Sequence, residues 1–457
     1  MTRKRALLAG LITMPLALTA CGGGSADSSA GSSGAGEAAT VSYWLWDSAQ
    51  TPGYQQCATA FHAKNPKITV KITQKGWDDY WSALTTGMVS GTAPDVFTDH
   101  LSKYTDFFTK HQLLPLDDLI KKDKVDLNIY QPGLAALWVG SDGHRYGTPK
   151  DWDTIGVFYN KKLTDAAALT TAQMGALAWN PTDGGTYEKA IAHLTVDKNG
   201  KRGDEAGFDK NNVKVYGLWL DGSGSGFGQT QWSMYALSNG WTATDKNPWG
   251  THYNYDSPKL QETIKWWKGL IDKGYMPSLK NSTGLGGLTQ LAAGKAALVT
   301  EGDWNTASTF ANKSASFIPA VAPTPVGPTG KRASVFNGLG DSIYAGTKNK
   351  DAAWQWVKYL ASADCQNVVG QKGVIFPAIP AATDVSSKAF AAKGVDVTAF
   401  TVQVQDKTTV LPWITAHAAD IDGIMKPAMD AVMGGQADVS SLTAANTQVN
   451  ALFSSGG

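Results

Sequence analysis

Val41-Ser-Tyr-Trp-Leu-Trp46, Ile68-Thr-Val-Lys-Ile-Thr73 and Asp95-Val-Phe-Thr98 are short runs of strand character, and what separates them decides the fold. Val41 to Trp46 alternates with the period of two expected of a strand, whereas Gly53 to Lys64 and Asp78 to Ser90 read as helices. A β-α-β-α-β succession predicts an α/β architecture with a parallel sheet, because parallel strands need crossover helices. Ligands of such sheets sit beyond the carboxyl ends of the strands. Those ends are Trp46-Asp47-Ser48, Gly76-Trp77-Asp78 and Thr98-Asp99-His100. Trp46, Asp47, Trp77, Asp99 and His100 are therefore candidate ligand-binding residues.

Working outward, the N-terminus carries a basic start at Arg3-Lys4-Arg5, an apolar run from Ala6 to Ala20 and small residues before Cys21. This is the anatomy of a cleaved secretory signal, and the run is too short to span a bilayer. Residues 22–39 are mostly Gly, Ser and Ala, the composition of a flexible linker. Loss of the three basic residues with the signal leaves 37 Lys and Arg against 39 Asp and Glu, a net charge of about −2. Such a balance supplies no basic field for nucleic acid or anionic lipid. The roughly 417 residues beyond residue 40 suffice for two domains with separate cores.

If Cys21 is consumed at the N-terminus, only Cys57 and Cys365 remain, and an exported chain with two leftover cysteines is expected to pair them. That bond would set the helix starting near Gly53 against a helix within Trp354 to Val369, so the chain leaves its first lobe and returns. The 17 tryptophans exceed what a core of this size usually needs. Many stand beside Asp, Gly or Asn, which makes some of them candidate surfaces for a flat, polar-edged ligand.

Other motifs carry less. Asp221-Gly-Ser-Gly-Ser-Gly-Phe-Gly228 has a dinucleotide-like glycine spacing, but such a motif must open a helix inside a β-α-β unit. It reads better as a loop at a cleft edge, with Trp232 nearby. Asp197 to Glu205 begins like a calcium loop but carries Arg202 where an EF-hand needs glycine, so a compact turn is expected. The chain has no Cys/His zinc spacing, and its histidines lack a nucleophile motif. No metal and no cofactor are expected.

Leu18-Thr-Ala-Cys21 resembles the lipobox of bacterial lipoproteins, which implies acylation of Cys21 and attachment to the extracytoplasmic face of the membrane through lipid alone. Gly91-Thr-Ala-Pro-Asp-Val-Phe97, Leu113-Leu-Pro-Leu-Asp-Asp-Leu119, Tyr146 to Leu163, Lys265 to Tyr275, Ala293 to Trp304, Trp354 to Cys365 and Val374-Ile-Phe-Pro-Ala378 together resemble the family-1 extracellular solute-binding proteins of bacterial sugar importers. The resemblance spans nearly all of the chain beyond the linker. It implies a two-lobed periplasmic-binding-protein-like fold with hinge crossings and an interlobe ligand cleft. It also implies a monomer that captures a neutral di- or oligosaccharide and hands it to ABC transporter permease subunits without chemistry. The implied division is 1–20 signal, 21–40 linker, 41–152 and 336–376 N-terminal lobe, 153–335 and 377–457 C-terminal lobe. Crossings are expected near 150–157, 334–340 and 376–380, which puts Cys57 and Cys365 in one lobe.

A sugar presents hydroxyls that donate and accept, and C–H faces that are apolar, so its site needs carboxylates, amides and aromatic rings. Trp304, in Glu301-Gly-Asp303-Trp304, is the foremost candidate for a stacking platform by the resemblance, and Glu301, Asp303 and Trp232 are further candidate ligand-binding residues. Asp151 and Asp153 bracket Trp152 in the first crossing and are candidate hydroxyl acceptors; Asn337 stands at the return, and Trp413 is a further candidate stacker. Two other classes compete. A secreted glycoside hydrolase or lyase would use paired carboxylates such as Asp151 and Glu301. A peptide or amino-acid receptor would meet a ligand carboxylate with an arginine or a helix N-terminus.

Overall fold

The computed structural model describes residues 38–454. The expected signal segment, Cys21 and most of the linker lie outside them. Strand β1 (Ala39–Leu45) buries Val41, Tyr43 and Leu45 on one face. Helix α1 (Thr51–Lys64) follows, then β2 (Ile68–Gln74), helix α2 (Trp77–Ser90) and β3 (Val96–His100). Val41, Tyr43 and Leu45 share a core with Tyr54, Cys57 and Phe61 of α1, the coincidence of a two-residue and a near-four-residue period that joins strand to helix.

β1 pairs in parallel with β2 and β3, as expected. The sheet as a whole is nevertheless mixed. β12 (Leu339–Ile343) runs antiparallel to β3, and β4 (Thr148–Pro149) lies antiparallel to β12, giving the order β2-β1-β3-β12-β4. The parallel expectation fails for these two because no crossover helix brings them in: β4 leaves the sheet and β12 re-enters it.

A second sheet centres on β6 (Ile155–Asn160), buried at all six positions. β6 is antiparallel to both β9 (Ala296–Gly302) and β10 (Pro319–Pro323). β8 (Val213–Leu218) pairs in parallel with β9, and β7 (Val196–Asp197) closes the far edge.

Between the sheets the chain passes in adjacent extended segments. β5 (Asp151–Trp152) pairs with β13 (Phe376–Pro377), and Asp153 bridges Asn337 just before β12. Lys150 N donates to Leu339 O (2.9 Å) and Ala378 N donates to Lys150 O (3.1 Å). Each segment adds an aromatic to one buried stack: Trp152 lies on Phe376 at 4.6 Å and against Phe336 at 5.3 Å. After β13, helix Pro380–Ala392 packs on helix Ala363–Gly370, and helix Thr398–Gln405 then packs on β6 and β10.

Cys57 and Cys365 are joined by a disulfide with Cα atoms 5.3 Å apart. The helix expected across Trp354 to Val369 is two, Lys350–Leu360 and Ala363–Gly370, separated by Ala361 and an extended Ser362. Among the described residues no helix is long and apolar enough to cross a membrane.

Candidate functional site: the cleft between the two sheets

The ends of β1, β3 and β9 meet the crossing segments around a cavity of about 770 Å³, within the range of small-molecule sites. Its first wall is aromatic. Trp46 follows β1, Trp77 opens α2 and His100 ends β3. Trp46 and Trp77 are edge to face at 5.1 Å, and Trp77 meets His100 at 5.5 Å. Tyr80 and Trp81 back Trp46 at 5.2 and 5.4 Å. α2 starts at Trp77 because Gly76 is extended and Asp78 and Asp79 occupy the first turn, where acids complement the helix dipole. Trp77 remains 43% exposed, an open face on an otherwise packed cluster. Asp47 beside it accepts from Ala49 N (2.8 Å) and Gln50 Nε2 (3.0 Å), which holds its carboxylate in place.

The opposite wall is built on the end of β9. Glu301 accepts from Gly302 N at 2.8 Å, and the chain turns through Asp303–Asn305, carrying Trp304 back over Gly302. A Cβ at residue 302 would sit 2.0 Å from Trp304 Cζ3, so only glycine lets the ring lie there. Trp304 is half-buried and lines the cavity. The Gly-rich loop contributes Phe227 and Gln229 to this side.

The crossing segments form the floor. Asp153 accepts from Gln229 Nε2 (2.8 Å) and Asn337 Nδ2 (3.2 Å), and Asn337 Nδ2 lies 3.1 Å from His100 Nε2. Both walls are thus tied through one carboxylate. Asp151 accepts from Leu339 N (3.2 Å). Burial raises Asp151 and Glu301 to about 7 and raises Asp153 well above the carboxylate range. Burial and Lys103 lower His100 to about 3, so its ring is neutral.

The structure brings together Trp46, Asp47, Trp77, His100, Asp151, Asp153, Glu301, Trp304 and Asn337 on this cavity. Four other candidates lie elsewhere. Asp99 is fully buried beneath the sheet, because adjacent strand residues face opposite sides and His100 takes the cleft side. Asp303 is buried and accepts from Thr154 N at 3.0 Å, fastening the end of β9 to the first crossing. Trp232 is fully buried in the core under the Gly-rich loop. Trp413 lines an adjoining pocket of about 310 Å³, edge to face with Phe227 at 4.8 Å; Trp77, Ser102 and Phe227 border both spaces.

Gln229, Phe227 and Asn305 also line the cavity and were not read from the sequence. Their only signal was adjacency, to the Gly-rich loop and to Trp304. That loop follows β8 but does not directly open a helix, the next helix starting only at Ser233, and its Phe227 borders the cavity at the cleft edge. The calcium-like stretch is a turn: Asp197 accepts from the backbone of Asn199, Lys201 and Asp209, leaving its oxygens committed. No group of acids, His and Cys among the described residues is arranged to hold a metal.

Residues 47–367 match the profile of the bacterial extracellular solute-binding proteins. The chain belongs to this family. A relative in Streptococcus pneumoniae, a maltooligosaccharide ABC transporter solute-binding lipoprotein, is 27% identical over 455 residues, covering 98% of this chain and 96% of the relative. The maltodextrin-binding protein MdxE of Bacillus subtilis is 26% identical over 86% of this chain and 85% of its own. Among solved structures, the substrate-binding protein Lmo0181 of Listeria monocytogenes, in complex with cycloalternan, superposes with a TM-score of 0.75 at 20% identity, covering 91% of this chain and 99% of that one. The solute-binding protein therefore has the two-lobed α/β fold and is a binding protein, not an enzyme. Asp151 and Glu301 are accordingly not the acid and base of a hydrolase.

Proposed function

We propose that this solute-binding protein captures a di- or oligosaccharide for an ABC importer, closing its lobes on the sugar and presenting it to the permease subunits. The observation that carries this reading is the pairing of Trp46 and Trp77 on one wall with Trp304 on the other, around a floor of carboxylates and amides. Rings cover the C–H faces of a sugar while Asp47, Asp151, Asp153, Glu301, Gln229 and Asn337 meet its hydroxyls. Among the described residues neither Lys nor Arg lines the cavity, so the carboxylate of a peptide or amino acid would find no cationic partner among them. In this reading the lobes are the two sheets with their helices, and helix Pro380–Ala392 stays with the first. The hinge is the set of segments around Lys150–Asp153, Asn337–Leu339 and Phe376–Ala378, such crossings being where lobes of this kind bend. Cys21 carries the lipid that holds the protein at the extracytoplasmic face, a reading supported by the lipoprotein name of the pneumococcal relative.

Calorimetry of the purified protein against di- and oligosaccharides, with chromatography of the sugar afterwards, tests the reading. Tight binding with the sugar recovered intact is expected. Binding of no sugar, or conversion of the sugar to products, would overturn it.

A further inference from the structure

The chemistry of the cavity bears on the charge of the sugar it takes. Among the described residues, four that line it, Asp47, Asp151, Asp153 and Glu301, carry carboxyl groups, and none is Lys or Arg. Asp151 is 1% exposed; one of its oxygens accepts from Leu339 N, and Oδ2 is buried with no hydrogen-bond partner among the described residues. Lys150, its neighbour in the chain, does not line the cavity; its ammonium donates to Thr98 Oγ1 (2.6 Å) and Tyr43 OH (3.2 Å), lies over the face of Tyr54 (4.2 Å), and offsets part of the charge of Asp151 and Asp47.

A sugar hydroxyl gives such a carboxylate one hydrogen bond and no countercharge. An ammonium gives both, and charge-assisted bonds are roughly twice as strong as neutral ones. The difference grows as the lobes close and water leaves, because an uncompensated buried charge is costly. The rings of Trp46, Trp77, Trp304 and Phe227, all on the same cavity, also favour a cation over their faces. We propose that the preferred ligand is a basic oligosaccharide, one bearing a protonated amino group that seats on the carboxyl groups of Asp151, Asp153 and Glu301. This departs from the neutral sugar expected from the sequence and rests on the sugar-binding reading above. Burial raises the proton affinity of Glu301, and raises that of Asp151 against the partly compensating ammonium of Lys150, which agrees with it.

The test is calorimetry with matched pairs: cellobiose and maltose, each against its 2-amino-2-deoxy counterpart, at low and at high salt. The amine member of a pair is expected to bind about tenfold tighter or more, a difference of about 1.4 kcal/mol. Salt should narrow the gap. Glu301→Gln should narrow the ratio within each pair several-fold, whatever affinity both members lose in common; Asp47→Asn, in a more exposed turn, gives a second reading of that ratio if the first variant melts early. Equal or tighter binding of the neutral members overturns the charge preference and leaves sugar binding standing. Binding of no member of either pair overturns the charge preference, and the sugar-binding reading falls with it only if the wider set of di- and oligosaccharides also fails to bind.

Discussion

Trp232 and Trp304 each lie across a glycine, and the two arrangements are locally alike. A Cβ at Gly228 would fall 2.2 Å from Trp232 Cε2, and one at Gly302 would fall 2.0 Å from Trp304 Cζ3. Beyond that contact they diverge. Trp232 is capped by the core, with Trp241 at 5.5 Å, and has no exposed surface. Trp304 packs against the core on one side and leaves the rest of its ring on the cavity. The same device, a ring resting on a residue without a side chain, therefore makes a structural pillar in one place and a candidate binding platform in the other. What lies over the free face decides which.

Truncation separates the two most strongly. Trp232→Ala opens a cavity in a packed core and is expected to cost about 3–5 kcal/mol of stability, read as a lowered denaturation midpoint. Sugar affinity of the folded fraction should stay near wild type. Trp304→Ala should do the reverse. Losing an aromatic anchor that closure desolvates costs about 2–4 kcal/mol of binding, some thirty- to several-hundred-fold in Kd, with the midpoint nearly unchanged. If Trp304→Ala binds as wild type but melts early, both tryptophans are pillars and the platform lies elsewhere.

The same contrast shows how far the sequence could be read. Strands β1 to β3 and helices α1 and α2 were legible to within a residue or two, because alternation and helical periodicity change visibly at Gly53, Ile68 and Asp78. The cleft residues were legible where position alone settles exposure, as at strand ends and crossings: Trp46, Asp151 and Trp304 line the cavity. They were not legible where two polar neighbours competed for one face. Asp99 and His100 read alike, yet strand geometry sends one into the protein and the other to the cleft. Asp303, a ligand-binding candidate by its place beside Trp304, accepts from Thr154 N, a partner 149 residues away that no local pattern reveals. Gln229 was missed for the same reason, since its partner Asp153 is supplied by the fold. The antiparallel entry of β12 depends on where the chain returns, which is tertiary information.

A smaller change probes the glycine. Gly302→Ala leaves the Trp304 side chain in place chemically but drives a methyl into its ring. The ring must tilt off its support, so affinity is expected to fall about tenfold, near 1.4 kcal/mol, within the usual 1–3 kcal/mol cost of overpacking. Intrinsic tryptophan fluorescence on sugar addition would report the altered ring, and unchanged affinity would mean Trp304 needs no such seat.

The smallest effect is in pH, and it distinguishes the surroundings of the two rings. Asp151 and Glu301, on the cavity, are raised by burial to about 7, against unfolded values near 3.9 and 4.3. The folded state thus holds protons that the unfolded state has already lost between about pH 4 and 7. Their contribution is most favourable below the unfolded values and is lost as pH rises through about 7. Asp99, raised to about 8, acts in the same direction. Carboxylates with lowered values, such as Asp95 and Asp197, have the opposite sign and matter only below about pH 4. The unliganded protein is therefore expected to melt higher at pH 5.5 than at pH 7.5. Glu301→Gln should flatten that slope, because an amide cannot gain the proton. Trp232→Phe, a change far from these acids in role, should lower the melting temperature equally at both pH values and leave the slope intact. A melting temperature that rises from pH 5.5 to 7.5 in the wild-type protein would mean that the cleft acids are already ionised and solvated, and that the wall carrying Trp304 is wetter than its burial indicates.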